Sequence, residues 1–130
     1  MVWQPEEVTR IASTLLKKRQ REQPSARLLL KYHDNRLDLD QSTGTVILGR
    51  GHKADMVVND TMASREHARI ECRRGKFFVT DQSTNGTYVE TAGGVAFLRR
   101  EEMQMSGEGR IALGRSPVDA TEVVHFRLES

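Results

Sequence analysis

Ser64 and His67 lie three residues apart in "SREHARI", a serine and an imidazole placed where a hydrolase could use them as nucleophile and base. The local pattern argues against that chemistry. No G-x-S-x-G elbow surrounds Ser64 to expose it on a strained strand-to-helix turn. If the segment is extended, positions i and i+3 point to opposite faces, and the pair diverges. Metal chemistry fares no better. His33, His52, His67 and His125 are scattered, and the single cysteine, Cys72, has no ligand-spaced companion. "LGRGHKAD" carries glycines and a lysine but not the G-x-x-x-x-G-K-[ST] of a phosphate-cradling loop. The sequence calls for no catalytic residue, no metal and no cofactor.

A different chemistry emerges when three polar segments are taken together: "LGRGHKAD", "NDTMASREH" and "DQSTNGTYV". They contribute Arg50, Ser64, Arg65, Thr84 and Asn85. A guanidinium is a planar fork of donors matched to phosphate oxygens. Hydroxyls and backbone N–H groups fill the remaining acceptor positions, and an amide such as Asn85 can brace an extended peptide. Each residue also has a plain structural reading. Arg50 could pair with Asp55, Ser64 could cap a turn, and Thr84 and Asn85 could be turn formers in a hairpin signal.

These segments need strands to hold them, and the chain supplies a period-two pattern from Ala26 onward. "ARLLLKYH", a turn at Asp34-Asn35, and "RLDLDQ" read as a hairpin with Leu37 and Leu39 facing in. "TVILG" follows Gly44 as a short buried strand. "ARIECR" sets Ala68, Ile70 and Cys72 against Arg69, Glu71 and Arg73, and Arg74-Gly75 turns the chain into "KFFVTDQ". "TYVE", "VAFLRR", "RIALG" and "EVVHFRL" follow, with "EEMQMS" as one further strand. About ten short strands with no helix between them predict an all-β sandwich.

Residues 1–25 have another period. Val8, Ile11, Ala12, Leu15 and Leu16 form one stripe of an amphipathic helix, with Pro5 in its first turn and Pro24 beyond its end. The chain thus divides into an N-terminal helix and linker, 1–25, and a sandwich domain, 26–130. The stripe over 5–22 offers a docking face, toward the sandwich or a second copy of the chain.

Composition bounds the rest. The 130 residues fit one domain with an appendage, and 37% hydrophobic with 29% charged content fits a globular chain. The balance of 20 basic and 18 acidic residues gives a net charge of +2, which does not point to nucleic acid. The basic cluster "KKRQR" reads as the solvated C-terminal end of the helix. No apolar run is long enough to span a membrane, and the N-terminus lacks the signal-peptide pattern. One cysteine in a chain of this kind implies a reducing, cytoplasmic setting.

The order G-R, S-x-x-H, N-G, here Gly49-Arg50, Ser64-Arg65-Glu66-His67 and Asn85-Gly86, resembles the forkhead-associated (FHA) domain family over about Ala26 to Leu128. The resemblance implies an eleven-strand β-sandwich whose loops at one end bind phosphothreonine peptides. By position it implies that Arg50 and Ser64 hold the phosphate and that Thr84 joins them. Arg65 and Asn85 would hold the peptide main chain, Arg65 could also lie near the phosphate, and His67 would prop the loops from inside. Gly49 and Gly86 would permit tight turns. Asp60-Thr61-Met62 would help select a residue after the phosphothreonine, with Met62 either an apolar contact or a gap-filler under the loop. One departure is visible: Glu90 and Thr91 stand where the family often carries a second asparagine-glycine pair. "VWQPEEVTRIAS" loosely resembles the segment that follows the catalytic domain of class III nucleotide cyclases, which implies a regulatory module of a larger signalling protein. The alternative function is a phosphate-independent intramolecular or dimerisation domain.

Overall fold

Alternation of buried with more exposed residues marks several strands of the computed structural model, which describes residues 26–129. In β1 (Arg27–Tyr32), Leu28, Leu30 and Tyr32 are buried while Arg27 and Lys31 face solvent. The other strands are β2 (Asn35–Leu39), β3 (Val46–Gly49), β4 (Met56–Val57), β5 (Ala68–Arg73), β6 (Lys76–Asp81), β7 (Thr87–Thr91), β8 (Gly94–Leu98), β9 (Glu102–Gln104), β10 (Glu108–Leu113) and β11 (Val123–Glu129). They form a six-stranded sheet, β2-β1-β11-β10-β7-β8, and a five-stranded sheet, β4-β3-β5-β6-β9. All pairings are antiparallel except β3 with β4. The expected all-β sandwich is therefore the fold, with eleven strands. The expected N-terminal helix and linker, 1–25, lie outside the described residues.

Inward side chains of both sheets make one core. Leu28, Leu30, Leu48, Ile70, Phe77, Ile111 and Leu113 are at most 1% exposed. Each such aliphatic or aromatic side chain contributes about 1.5–3 kcal/mol by leaving water. That core fixes where the strands end, and the loops between β3 and β5 and between β6 and β7 meet at one end of the sandwich.

Two local expectations are corrected. The first hairpin turns at His33-Asp34, not Asp34-Asn35, because Tyr32 pairs with Asn35 and His33 takes a φ of 51°. Alternation alone allows either turn. The observed register sets Leu28 opposite Leu39 and Leu30 opposite Leu37, whereas the later turn would bring Gln41 opposite Leu28. The second correction is β4, absent from the sequence reading. Its two residues pair with Leu48 and Gly49 of β3. The Asp55 carboxylate accepts the Ile47 N–H at 2.7 Å just before it. The turn at Arg74-Gly75 is as expected, both residues adopting positive φ (54° and 76°), the geometry of a tight two-residue hairpin. Among the described residues no helix is long and apolar enough to cross a membrane, and no group of three His, Cys, Asp or Glu is placed to hold a metal ion.

Candidate functional site

The end of β3 packs backbone against backbone on the segment that leads into β5. The Arg50 N–H donates to the Ser64 carbonyl at 2.9 Å, and the Gly51 N–H to the Arg65 carbonyl at 3.0 Å. A Cβ on Gly49 would stand 2.1 Å from the Arg65 carbonyl oxygen, so only glycine permits this approach. The approach places Arg50, Ser64 and Arg65 side by side. Arg50 and Arg65 are exposed and Ser64 is half-buried.

The β6–β7 loop joins them through Ser64. Its Oγ accepts the Thr84 N–H at 3.3 Å, which leaves the hydroxyl proton free to donate outward. Asn85 Nδ2 donates to the Met62 carbonyl at 3.0 Å, so one of its amide protons is already engaged. Its Oδ1 and second proton remain on the exposed side. All five predicted ligand-contacting residues thus converge on one rim. Neither Arg50 nor Arg65 makes a side-chain hydrogen bond or ion pair among the described residues. The Arg50–Asp55 pair is not formed: the Asp55 carboxylate is spent on the Ile47 N–H. Asp60 does not neutralise the rim either, because Arg115 holds its carboxylate at 2.9 Å.

Behind this rim lies a buried polar chain. His67 is fully buried, and its Nδ1 accepts the Ser64 N–H at 2.9 Å. The proton is therefore on Nε2, which donates to the Gly86 carbonyl at 2.7 Å. Burial pushes the imidazole below its ordinary value, against the opposing pull of the Gly86 carbonyl and of Asp81. Both ring nitrogens are occupied by backbone groups, so the ring cannot act as a base on Ser64 Oγ. The segment is not extended as expected, since Arg65 and Glu66 form a turn; it is the occupied ring, not divergence along a strand, that keeps His67 from Ser64 Oγ.

Sequence reasoning missed the other half of this chain. Asp81, 2% exposed, accepts the Ser83 hydroxyl at 2.5 Å and the Thr87 hydroxyl at 2.7 Å on Oδ1. Its Oδ2 accepts the Arg100 N–H at 2.9 Å. Burial alone would raise this carboxyl, but these donors outweigh it and hold Asp81 below the usual carboxylate value. Ser83 Oγ in turn accepts the Gly86 N–H at 2.8 Å. Gly86 sits at φ 90°, and a Cβ there would strike the Phe97 ring at 2.3 Å. The only local signal was the D-x-S spacing of Asp81 and Ser83, a common side-chain-stabilised turn.

Met62 is 40% exposed, so it does not fill a gap under its loop; Ala63, at 3%, is the buried residue there. Glu90 and Thr91 are not in a loop. They end β7, and Glu90 accepts the Arg110 Nε–H at 2.6 Å.

Known proteins share this architecture. FhaB, an FHA domain-containing protein of Mycobacterium tuberculosis, is 42% identical over 48 residues, which is 36% of this chain and 31% of FhaB; the match spans less than a third of that relative. The FHA domain of the CT664 protein from Chlamydia trachomatis superposes with a TM-score of 0.58 at 27% identity, over 80% of this chain and 97% of that one. A structure from an analysis of phosphothreonine-dependent FHA domain interactions gives a TM-score of 0.60 at 26% identity, over 80% and 98%. The family model described as "FHA domain" matches residues 46–114, more than half of the sequence. The chain belongs to the FHA domain family.

Proposed function

We propose that this chain binds a phosphothreonine peptide through the rim formed by Arg50, Ser64, Arg65, Thr84 and Asn85. FHA domains are binding modules, not catalysts. The observation that carries the reading is the convergence of two exposed arginines, with no ion partner among the described residues, on a hydroxyl whose proton is free. A phosphate brings a charge of about −1.5 to −2 and three acceptor oxygens. Arg50 and Ser64 meet it, with Thr84 beside them. Asn85, already fixed to Met62, and Arg65 hold the peptide main chain on either side. His67 and Gly86 keep the two loops at a set distance, so little ordering is left for the moment of binding. The exposed Met62 supports an apolar contact with a residue after the phosphothreonine.

The matched stretch is a minor part of FhaB, and we read the domain as a cytoplasmic regulatory module within a larger signalling protein. The nucleotide-cyclase context and a self-docking or dimer role for 5–22 rest on residues outside those described. The deciding experiment is a degenerate phosphothreonine peptide library with its unphosphorylated control, read by calorimetry on the selected sequences. Phosphate-dependent binding that Arg50→Ala weakens supports the reading. Equal affinity for plain and phosphorylated peptides would sink it and favour a phosphate-independent interaction domain.

A further inference from the structure

On one face of an antiparallel sheet, directly opposite side chains are close neighbours, and like charges there are destabilising. The outer face of the six-stranded sheet carries one such pair, Arg36 with Lys31, at the head of a row of basic residues. Arg36 is opposite Lys31, Lys31 opposite His125, and His125 opposite Arg110. The row crosses β2, β1, β11 and β10 and spans about 14 Å at ordinary strand spacing. Arg36, Lys31 and His125 are exposed. Among the described residues only Arg110 of the four has an ion partner, Glu90. The neighbouring row on the same face is built the usual way: Arg127 stands opposite Glu108, and Asp38 is paired with Arg27.

Shallow depressions flank the basic row, and both are lined by Lys31 and His125. One has Leu29 and Gly109 on its wall, the other Thr121 and Val123. Acidic side chains border both, Asp38 and Glu108 on one side and Asp34 on the other. The basic row is therefore four strands long and one residue high, with its charge unpaired, among the described residues, on Arg36 and Lys31. A nucleic-acid backbone or an anionic membrane is broader and would meet those carboxylates. A single extended chain fits between them.

We propose that this face is a second binding surface, which takes an extended acidic segment of a partner protein. Its carboxylates lie over Arg36, Lys31 and His125, and an apolar side chain enters the depression beside Leu29. The surface is separate from the Arg50–Ser64 rim and does not depend on phosphothreonine.

The test uses the full chain and a fluorescent peptide of alternating glutamate and valine, with a glutamine-for-glutamate peptide as control. Anisotropy should show binding of the acidic peptide alone, weakening as salt is raised. Lys31→Glu should lower that affinity about tenfold or more. Arg36→Glu, on the edge strand, carries the same test should Lys31→Glu fail to fold. Equal binding of the two peptides, or unchanged binding in the folded variants, overturns the proposal. So does tighter binding of a single-stranded oligonucleotide or of phosphatidylserine vesicles through the same residues, since the partner would then be of another class.

Discussion

The two sides of the loop end use their polar groups in opposite ways. On the inner side, Asp81, Ser83, Thr87 and His67 are 2% exposed or less, and each polar side chain has a partner. On the outer side, Arg50 and Arg65 hold donors with no partner among the described residues. The difference separates stability from recognition. Buried polar groups are expensive to leave unmade, so the inner chain sets the loops. Exposed unpaired donors cost the fold little and remain available to a ligand.

Breaking the inner side should therefore unfold the loop end, while breaking the outer side should leave it folded and blind. The largest effect is expected from Asp81→Ala. It strands the Ser83 and Thr87 hydroxyls and the Arg100 N–H, and should cost about 3–5 kcal/mol in urea denaturation. His67→Ala removes the link between the Ser64 N–H and the Gly86 carbonyl. It should cost about 2–4 kcal/mol, with amide exchange accelerating first in residues 60–66 and 82–86. An unchanged exchange pattern there would mean that His67 does not organise the loops.

The outer side should answer to binding alone. Arg50→Ala should weaken phosphothreonine peptide affinity at least tenfold, in line with about 1.5–3 kcal/mol for a charge-assisted hydrogen bond. Its stability should change by less than about 0.5 kcal/mol. A destabilised Arg50→Ala would erase the contrast between the sides. Ser64→Ala should sharpen it, since Ser64 serves both. Losing the Thr84 N–H contact should cost about 1 kcal/mol of stability, and losing the outward O–H should weaken the same peptide severalfold.

The sequence disclosed the outer side better than the inner one, for physical reasons. Arg50, Ser64, Arg65, Thr84 and Asn85 lie in polar segments between apolar alternations, and their chemistry is carried by residue type. The strands that hold them were legible where alternation ran over several residues, as in Ala68, Ile70 and Cys72. It failed at β4, where two residues are too few to show a period. Asp81 was hidden because its partners include Arg100, reached only after β7 and β8 fold back. The turn at Arg65-Glu66 was hidden because it is closed by the Ser64 N–H and a buried ring nitrogen, not by turn-forming residues.

The smallest effect predicted is also the most specific to the inner side. Burial depresses His67, so in the pH range below the ordinary histidine value of about 6.5 the unfolded chain binds a proton that the folded chain refuses. The stability that His67 contributes is full above that value. It is lost as pH falls toward the depressed folded value. Protonation would also place an N–H on Nδ1 against the Ser64 N–H, so the loops of the binding rim should loosen first. Asp81 is lowered as well, but its window opens only below the ordinary carboxylate range. The interval between pH 5 and 6.5 therefore isolates His67 from Asp81. Stability is the better readout there than affinity, because a phosphate ester has its own second ionisation near pH 6. Urea midpoints taken across that interval should fall more steeply for the wild type than for His67→Gln, which stays neutral throughout. Parallel slopes would show that His67 titrates alike in the folded and unfolded chains, and the inner chain would then not depend on its neutral ring.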